Sequence, residues 1–270
     1  MRTFSLLLVL LSAAAPAAAD QELPIFDAHL HYSHDAWQVV PPAQVVQILE
    51  KAGIRRAMVS SSNNEGTQML LDAAPGVIVP ELRPYRSRGE LSTWVRDTSV
   101  IPFLEGMLAR RKYVAIGEFH VYGADADLPN VRQVVALARK HGLYLHSHSD
   151  ADAVVRHFEQ DPAARVLWAH SGFERPEKIR EMLRKYPTLW CDLAFLTAHA
   201  SDGKVAPGWR EAFLEFPDRF VLGTDTFTPE RWHYVIENAR WSRRWLADLP
   251  PDVARKIAHE NGERLFGGRQ

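Results

Sequence analysis

The sequence predicts an α/β protein of the (β/α)8 (TIM) barrel class, and three observations lead to this prediction. Short apolar segments alternate with amphipathic ones along most of the chain, which is typical of βαβ units and a parallel sheet. The apolar segments are rich in Val, Ile and Leu on both faces, as in strands that helices cover. Eight strand–helix repeats fit within about 250 residues, the usual size of such a barrel.

The eight predicted strands share this composition and are bounded by polar or turn residues. They span residues 25–31, 56–61, 76–82, 113–120, 143–148, 165–170, 188–193 and 220–224. The predicted helices carry apolar residues at helical spacing. They span residues 42–52, 66–73, 91–110, 130–141, 152–159, 176–185, 209–215, 230–248 and 252–265. An open doubly wound sheet is the alternative, but it needs a glycine-rich turn after its first strand, and residues 27–33 contain no glycine.

Proline and glycine support these helix boundaries. Pro42 can occupy the first turn of its helix, and Gly53 can end that helix just before the second strand. Lys140 and His141 precede Gly142 in the same way before the fifth strand, which is typical of a helix carboxyl terminus.

The amino terminus has the features of a secretory signal peptide. Arg2 supplies a positive charge, residues 6–11 form an apolar run, and three alanines at 17–19 form a cleavage site. The apolar run is too short to span a bilayer. We therefore expect residues 1–19 to be removed, residues 20–270 to form a single domain, and the protein to be exported to the periplasm or secreted. The single cysteine, Cys191, excludes an intrachain disulfide.

The charge of the chain is close to neutral. Removal of the leader takes one Arg from 32 basic residues, which leaves 31 against 33 acidic residues and a formal charge of −2. Such a balance provides no global field that would attract nucleic acid or an acidic membrane.

Histidines and carboxylates recur where the predicted strands end, the edge at which barrel active sites lie. His29 and His31 end the first strand, and their spacing places them on one face. Later strand ends supply further residues of the same two types: Glu118, His120, His146, His148, His170 and Asp225. Imidazole and carboxylate ligands suit Zn²⁺ and related divalent ions, which lower the pKa of water to about 7. The pattern therefore indicates a hydrolytic metal site.

These motifs, in this order, resemble the amidohydrolase superfamily of metal-dependent hydrolases, in particular its amidohydrolase-related branch. The first-strand metal motif corresponds to residues 27–31 (DAHLH) and the sixth-strand histidine motif to residues 168–172 (WAHSG). The last-strand aspartate motif corresponds to residues 223–225 (GTD), and residues 261–266 (NGERLF) are similar to the closing helix. The resemblance extends over nearly all of the chain that follows the leader.

The resemblance implies a ligand set for one or two divalent ions, Zn²⁺ first, with Mn²⁺ or another divalent ion as alternatives. The set is His29, His31, Glu118, His148, His170 and Asp225. It also implies that Asp225 is the general base. Glu118 is similar to the fourth-strand glutamate of TatD-type members. Both His146 and His148 could face the barrel interior; the family's spacing from Gly142 favours His148 as the ligand, with His146 as an inner, hydrogen-bonded histidine.

Three more residues near the predicted site have expected roles outside the ligand set. Asp27 is expected to be a buried support below the ligands. His120 is expected either to contact substrate or a ligand, or to be structural. Arg83, after the third strand with Tyr85 and Arg86, could bind an anionic substrate, although solvated loop arginines are the commoner case. The remaining histidines are expected on the surface or in the core: His34, His141, His157, His199, His233 and His259.

The sequence thus predicts a metal-dependent hydrolase that cleaves an ester, amide, lactone or phosphoester of a small molecule. A decarboxylase of a small organic acid is the first alternative. A TatD-type nuclease is a second, which the near-neutral charge disfavours. A catalytically inactive binding module of the same fold is the non-enzyme alternative. The expected partner is a small-molecule substrate, with neither nucleic acid nor a membrane span; substrate and oligomeric state stay open.

Overall fold

A computed structural model describes residues 22–268, and the predicted signal peptide lies outside that part. That part of the chain contains ten strands, in order: β1 (Ile25–His31), β2 (Ile54–Ser60), β3 (Ile78–Pro80), β4 (Ala115–His120), β5 (Tyr144–His148), β6 (Val166–Trp168), β7 (Leu189–Asp192), β8 (Ala200–Ser201), β9 (Lys204–Val205) and β10 (Phe220–Val221). Eight of them, all except β8 and β9, correspond to the predicted strands and pair in parallel.

These eight parallel strands follow the order of a (β/α)8 barrel. One sheet has the order β1-β2-β3 and the other β10-β7-β6-β5-β4. Single parallel bridges join the two sheets at both edges, Asp27 with Leu222 and Leu82 with Ile116. The ring is therefore complete in its strand order, while its ladder is reduced to one bridge at each of these two seams.

Nine α-helices are present in residues 22–268: α1 (Pro42–Lys51), α2 (Glu65–Ala73), α3 (Val100–Leu108), α4 (Pro129–His141), α5 (Ala151–Gln160), α6 (Pro176–Lys185), α7 (Pro207–Glu215), α8 (Val235–Leu246) and α9 (Pro251–Arg255). Four of the α-helices between strands begin with proline in the first turn, where its missing N–H is not needed. None of the helices in the described residues is long and apolar enough to cross a membrane.

The helix predicted at residues 91–110 is wrong in its first half. Two short 3-10 turns, Arg88–Glu90 and Trp94–Arg96, precede α3 instead. The Asp97 carboxylate accepts hydrogen bonds from the backbone N–H and the hydroxyl of Ser99 at 2.9 and 2.6 Å. Such local side-chain bonds compete with a continuous helix and here restart it at α3.

The two helices predicted after the last strand are also interrupted. A 3-10 turn at Pro229–Tyr234 precedes α8, and two π-helical turns, Lys256–Glu260 and Glu263–Gly267, follow α9. The β8–β9 hairpin was missed, although its turn, Asp202-Gly203, is a strong hairpin signal. Two-residue strands are too short to show an alternating pattern.

The barrel interior is apolar at its amino end and polar at its carboxyl end. Phe266, from the last π-helical turn, packs against Phe26 and Tyr144 with ring centroids 6.0 and 5.2 Å apart. These rings belong to a buried apolar cluster inside the strands, separate from the larger core between the strands and the helices. The floor of the barrel is thereby filled, and the polar groups of the strand ends are left at the opposite edge.

Candidate active site

Five predicted ligands direct donor atoms into one buried space at the carboxyl end of the barrel. The Nε2 atoms of His29 and His31 are 3.1 Å apart. Glu118 Oε1 lies 3.7 Å from His29 Nε2 and 3.4 Å from His170 Nε2. Asp225 Oδ1 lies 3.8 Å from His29 Nε2 and 3.4 Å from His31 Nε2. Residues that are up to 196 positions apart in the chain are therefore brought together.

The other ring nitrogen of each of these histidines faces a hydrogen-bond acceptor. His29 Nδ1 is 3.1 Å from a carboxylate oxygen of Asp192. His31 Nδ1 is 3.0 Å from the carbonyl oxygen of Ser60, and His170 Nδ1 is 2.8 Å from that of Ala194. These contacts assign a proton to each Nδ1 and leave Nε2 as the nitrogen that could bind a metal in the shared space.

This donor set fits a divalent metal ion. Three imidazole lone pairs and two carboxylates repel one another at these distances unless positive charge lies between them. Groups within reach of a common ion include His29, His31 and Asp225, and also His29, Glu118 and His170. Imidazole nitrogen and carboxylate oxygen are the ligands that Zn²⁺ and similar ions prefer.

The electrostatics of the site favour positive charge as well. Burial by itself lowers the pKa of His29, but the Asp192 and Glu118 carboxylates raise that pKa well above its ordinary value. Burial by itself raises the pKa of Glu118, yet the positive charge of His29 and hydrogen bonds from other histidines hold it well below its usual range. Burial, with the nearby Arg83 guanidinium, lowers the pKa of His31, which favours the neutral form that binds a metal.

His146 is buried, and both of its nitrogens contact carboxylates. Nδ1 lies 3.1 Å from Glu81 Oε1, and Nε2 lies 3.0 Å from Asp192 Oδ2. Although burial lowers it, the charge of Glu81 and hydrogen bonds to both carboxylates raise the pKa of His146 to about 9. Because carboxylates engage both nitrogens, His146 presents neither of them to the space shared by the five ligands.

His148 lies at the rim of the donor space and is partly exposed. Its Nδ1 is 2.6 Å from Glu118 Oε1, and its ring stacks on His120 at 4.1 Å. His120 Nδ1 is 2.9 Å from the Tyr85 hydroxyl, and burial lowers the pKa of His120 to about 3. His120 is therefore a neutral ring that lines the cavity beside His148.

Arg83 is not a solvated loop arginine, so the expectation that it is exposed to solvent is wrong. It is buried and donates to Glu118 twice, to the carboxylate at 2.7 Å and to the carbonyl oxygen at 3.0 Å. Its guanidinium also lies over the ring of Tyr85 at 4.8 Å. The β4 carboxylate is thereby held in place from the loop after β3.

Asp27 is fully buried below the ligands and binds two separate segments. Its carboxylate accepts bonds from the His29 backbone N–H at 3.0 Å and from the Thr224 hydroxyl at 2.6 Å. Burial raises the pKa of Asp27 to about 6, although these hydrogen bonds act to lower it. Asp27 thus ties the end of β1 to the segment that carries Asp225, with its own side chain engaged away from the donor space.

A cavity of about 240 Å³ opens onto the donor atoms. Its floor is polar and its walls include several aromatic side chains. The lining residues are Ser33, Ser62, Arg83, Tyr85, Arg88, Leu91, Glu118, His120, His148, His170, Phe173, Phe195, Asp225 and Phe227. The cavity is smaller than the roughly 300–1,000 Å³ of drug-sized pockets, so it suits a small substrate.

Sequence reasoning missed Asp192 and Glu81, which hold the inner histidines. The Asp192 carboxylate also accepts hydrogen bonds from the backbone N–H groups of His170 and Ala194, at 3.0 and 2.9 Å, in addition to its contacts with His29 and His146. A signal was present, since Asp192 ends the seventh strand and Glu81 follows the third. Both are therefore carboxylates at the same barrel edge as the predicted ligands.

Comparison with known proteins identifies a family for the chain and related barrel structures. A family model described as "Amidohydrolase" matches residues 106–268. A search of curated proteins found no match. An uncharacterized TIM-barrel protein from Bordetella bronchiseptica is 16% identical, with 90% of this chain and 98% of that chain covered and a TM-score of 0.60.

Two further solved structures share the fold. A candidate 2-pyrone-4,6-dicarboxylic acid hydrolase from Pseudomonas putida is 15% identical, with 93% and 100% of the two chains covered and a TM-score of 0.63. A β-aspartyl dipeptidase from Fervidobacterium islandicum is 15% identical, with 91% and 73% covered and a TM-score of 0.58. At such identities the likeness shows the barrel fold alone.

Proposed function

Because the chain belongs to the amidohydrolase family, we propose that it is a metal-dependent hydrolase of a small molecule, acting on an ester, amide, lactone or phosphoester bond. One observation carries the proposal: three histidine Nε2 atoms and the oxygens of two carboxylates converge on a single buried space beneath a cavity. Zn²⁺ is the first candidate for the ion, and Mn²⁺ is the second.

In this proposal His29, His31, His170 and Asp225 hold the ion, and Glu118 holds it from the fourth strand as the glutamate of TatD-type members does. His148 adds a ligand from the rim. When bound, a divalent ion acidifies water and polarises the electrophilic oxygen of the substrate. One ion or two are both compatible with this number of ligands.

Asp225 is the general base in this proposal, taking a proton from the attacking water and delivering it to the leaving group. The backbone around this residue is held firmly. The Asp225 N–H donates to the carbonyl oxygen of His29 at 2.7 Å, and the Arg231 guanidinium donates to the carbonyl oxygen of Asp225. Asp225 also has a φ of 51°, in the left-handed region that aspartate adopts more readily than most residues.

A substrate panel tests the proposed function. Esters, lactones, amides and phosphoesters are assayed with Zn²⁺, with Mn²⁺ and after chelation, alongside small carboxylic acids whose decarboxylation is followed as CO₂ release. We expect metal-dependent hydrolysis of at least one class, lost in His31→Gln and retained in His141→Gln, a histidine exposed at the end of α4. CO₂ release without hydrolysis would favour the decarboxylase alternative, and binding of a substrate with no turnover would favour the inactive module.

Export of the protein is also a proposal, based on the predicted leader at residues 1–19. Amino-terminal sequencing of the protein from the producing cell's periplasm or medium tests it. A mature chain that starts near Asp20 is expected, and full-length protein confined to the cytoplasm would contradict export.

A further inference from the structure

We propose that the substrate carries an aromatic ring, and that Phe173, Phe195 and Phe227 form the wall that binds it. This inference rests on the proposed function, since it names the substrate class for the same cavity. The three residues are here called the phenylalanine wall.

The first observation is where exposed phenylalanine side chains occur. Among residues 22–268, three phenylalanines are exposed: Phe173 at 52%, Phe195 at 48% and Phe227 at 39%. All three line the one cavity that contains the donor atoms. Exposed phenylalanine is unfavourable in water, and its concentration at one cavity mouth marks a binding surface.

The second observation is the backbone that presents these rings. Phe173 has a φ of 54° and Phe195 a φ of 53°, in the left-handed region that bulky residues rarely adopt. Such strain persists where the surrounding structure imposes it and is concentrated at binding and catalytic sites. Folding stability alone would favour glycine or asparagine at both positions, so the presence of phenylalanine points to a use for its ring.

The third observation is the arrangement of the rings. Phe195 meets Phe173 edge to face at 6.5 Å and 89°, and it meets Phe227 at 5.8 Å and 82°. The ring of Phe173 stacks on His170 at 4.8 Å. The phenylalanine wall thus continues directly into the donor set, so a ring bound on it would carry its substituent toward the reacting groups. A bound aromatic ring would extend these edge-to-face contacts, whereas a saturated ring has no π face or edge with which to do so.

The position of the wall in the barrel leaves room for the rest of the substrate. Its residues follow β6, β7 and β10, which are consecutive in the strand order. The loop after β3, which carries Arg83 and Tyr85, is four strands from β7 in a ring of eight and therefore lies across the cavity mouth. The cavity of about 240 Å³ accommodates a single substituted ring between these sides.

Binding of three phosphonates to the metal-loaded protein tests this inference. Phenylphosphonate, cyclohexylphosphonate and methylphosphonate share a metal-directed head group and differ in the attached group. By calorimetry, we expect phenylphosphonate to bind at least about tenfold more tightly than methylphosphonate and clearly more tightly than cyclohexylphosphonate. Equal affinities, or no binding of phenylphosphonate at millimolar concentration, would overturn the proposal.

Substitutions in the wall test whether these residues carry the preference. Phe173→Ser, Phe195→Ser and Phe227→Ser should each reduce the phenyl-to-methyl ratio of affinities about three- to tenfold. Leu214→Ser, at a residue 46% exposed on α7 and away from the cavity, is the matched control and should leave the ratio unchanged. Phe195→Leu keeps an apolar side chain without the ring; an unchanged preference for phenyl over cyclohexyl in this variant would refute the aromatic selectivity.

These measurements need no turnover, so the two proposals can fail separately. A protein that hydrolyses no substrate, but prefers phenylphosphonate and loses the preference in the wall variants, would refute only the proposed reaction. A protein that hydrolyses aliphatic substrates well and shows no ring preference would refute only the aromatic class.

Discussion

Buried histidines occur in two kinds of surroundings in this protein. His29 and His146, at the strand ends, contact carboxylates, and their pKa values are raised despite burial. His157 and His199 are equally buried, but burial dominates and lowers their pKa values to about 4 and about 3. His199 lies among rings, with Trp241 and Trp245 at 5.1 and 4.7 Å.

The comparison shows that burial alone does not make a histidine functional. In both regions the imidazole is removed from water, which opposes its charged form. Around His29 and His146, carboxylates restore an environment for positive charge, and such an environment suits a metal ion. In the outer core, burial without a contacting carboxylate keeps His157 and His199 neutral, and they serve as packing groups.

The largest expected effect comes from the carboxylate that completes the strand-end region. Asp225→Asn should reduce kcat about 10²- to 10⁴-fold, because the amide cannot accept the proton of the attacking water. The measurement is steady-state kinetics on the best substrate of the panel, with metal content determined in parallel. Asp252→Asn, at an exposed position in α9, is the control. Undiminished turnover in Asp225→Asn with bound metal would remove Asp225 from the role of base.

An intermediate effect is expected from the carboxylate shared by the inner histidines. Asp192→Ala should weaken metal affinity about 10- to 100-fold, because His29 loses the acceptor that orients its ring. Asp192→Asn keeps an oxygen acceptor and should lose less. Competition with a fluorescent chelator measures both affinities, and equal affinity in wild type and Asp192→Ala would show that the ring needs no such support.

The smallest effect concerns the other region and acts on stability. The pKa of His199 is about 3 in the folded protein and about 6.5 when unfolded, so below pH 6.5 only the unfolded state binds the proton. Keeping His199 neutral therefore does not lower the free energy of unfolding above pH 6.5. Below that value, the free energy of unfolding falls progressively as the pH approaches 3. His199→Phe should remove this loss, which reaches about 2 kcal/mol by pH 5.

Urea unfolding at pH 7 and pH 5 measures this change as a difference between the two pH values. The comparison uses wild type, His199→Phe and the exposed-histidine variant His141→Gln. If His199→Phe loses as much stability as wild type between the two pH values, His199 is not held neutral by its surroundings, and the contrast between the regions fails.

Much of the fold was predictable because it depends on local patterns. Val-, Ile- and Leu-rich segments between helical ones predicted all eight barrel strands, and β1 has the predicted bounds. The interruption of the helix predicted at residues 91–110 could not be read from periodicity, because it depends on the local hydrogen bonds between Asp97 and Ser99. The hairpin after β7 was missed because its strands are only two residues each.

For the site, the sequence by itself determined which residues stand at the strand ends. A strand repeats every two residues, and the barrel fold places all eight carboxyl ends at one edge, so these positions can be read without coordinates. Only the tertiary structure decided what each residue contacts there. Asp192 reaches His29 across 163 residues of sequence and His146 across 46.

The contacts of Arg83 likewise depend on the tertiary structure. Its position after the third strand was evident, but its burial and its bonds to Glu118 depend on how β3 and β4 meet at a seam of the barrel. The proton positions on His29, His31 and His170 likewise depend on acceptors supplied by other strands. Local periodicity sets which residues reach the edge. The charge and hydrogen bonding of each site residue are set by non-local neighbours that only the tertiary arrangement of the strands brings together.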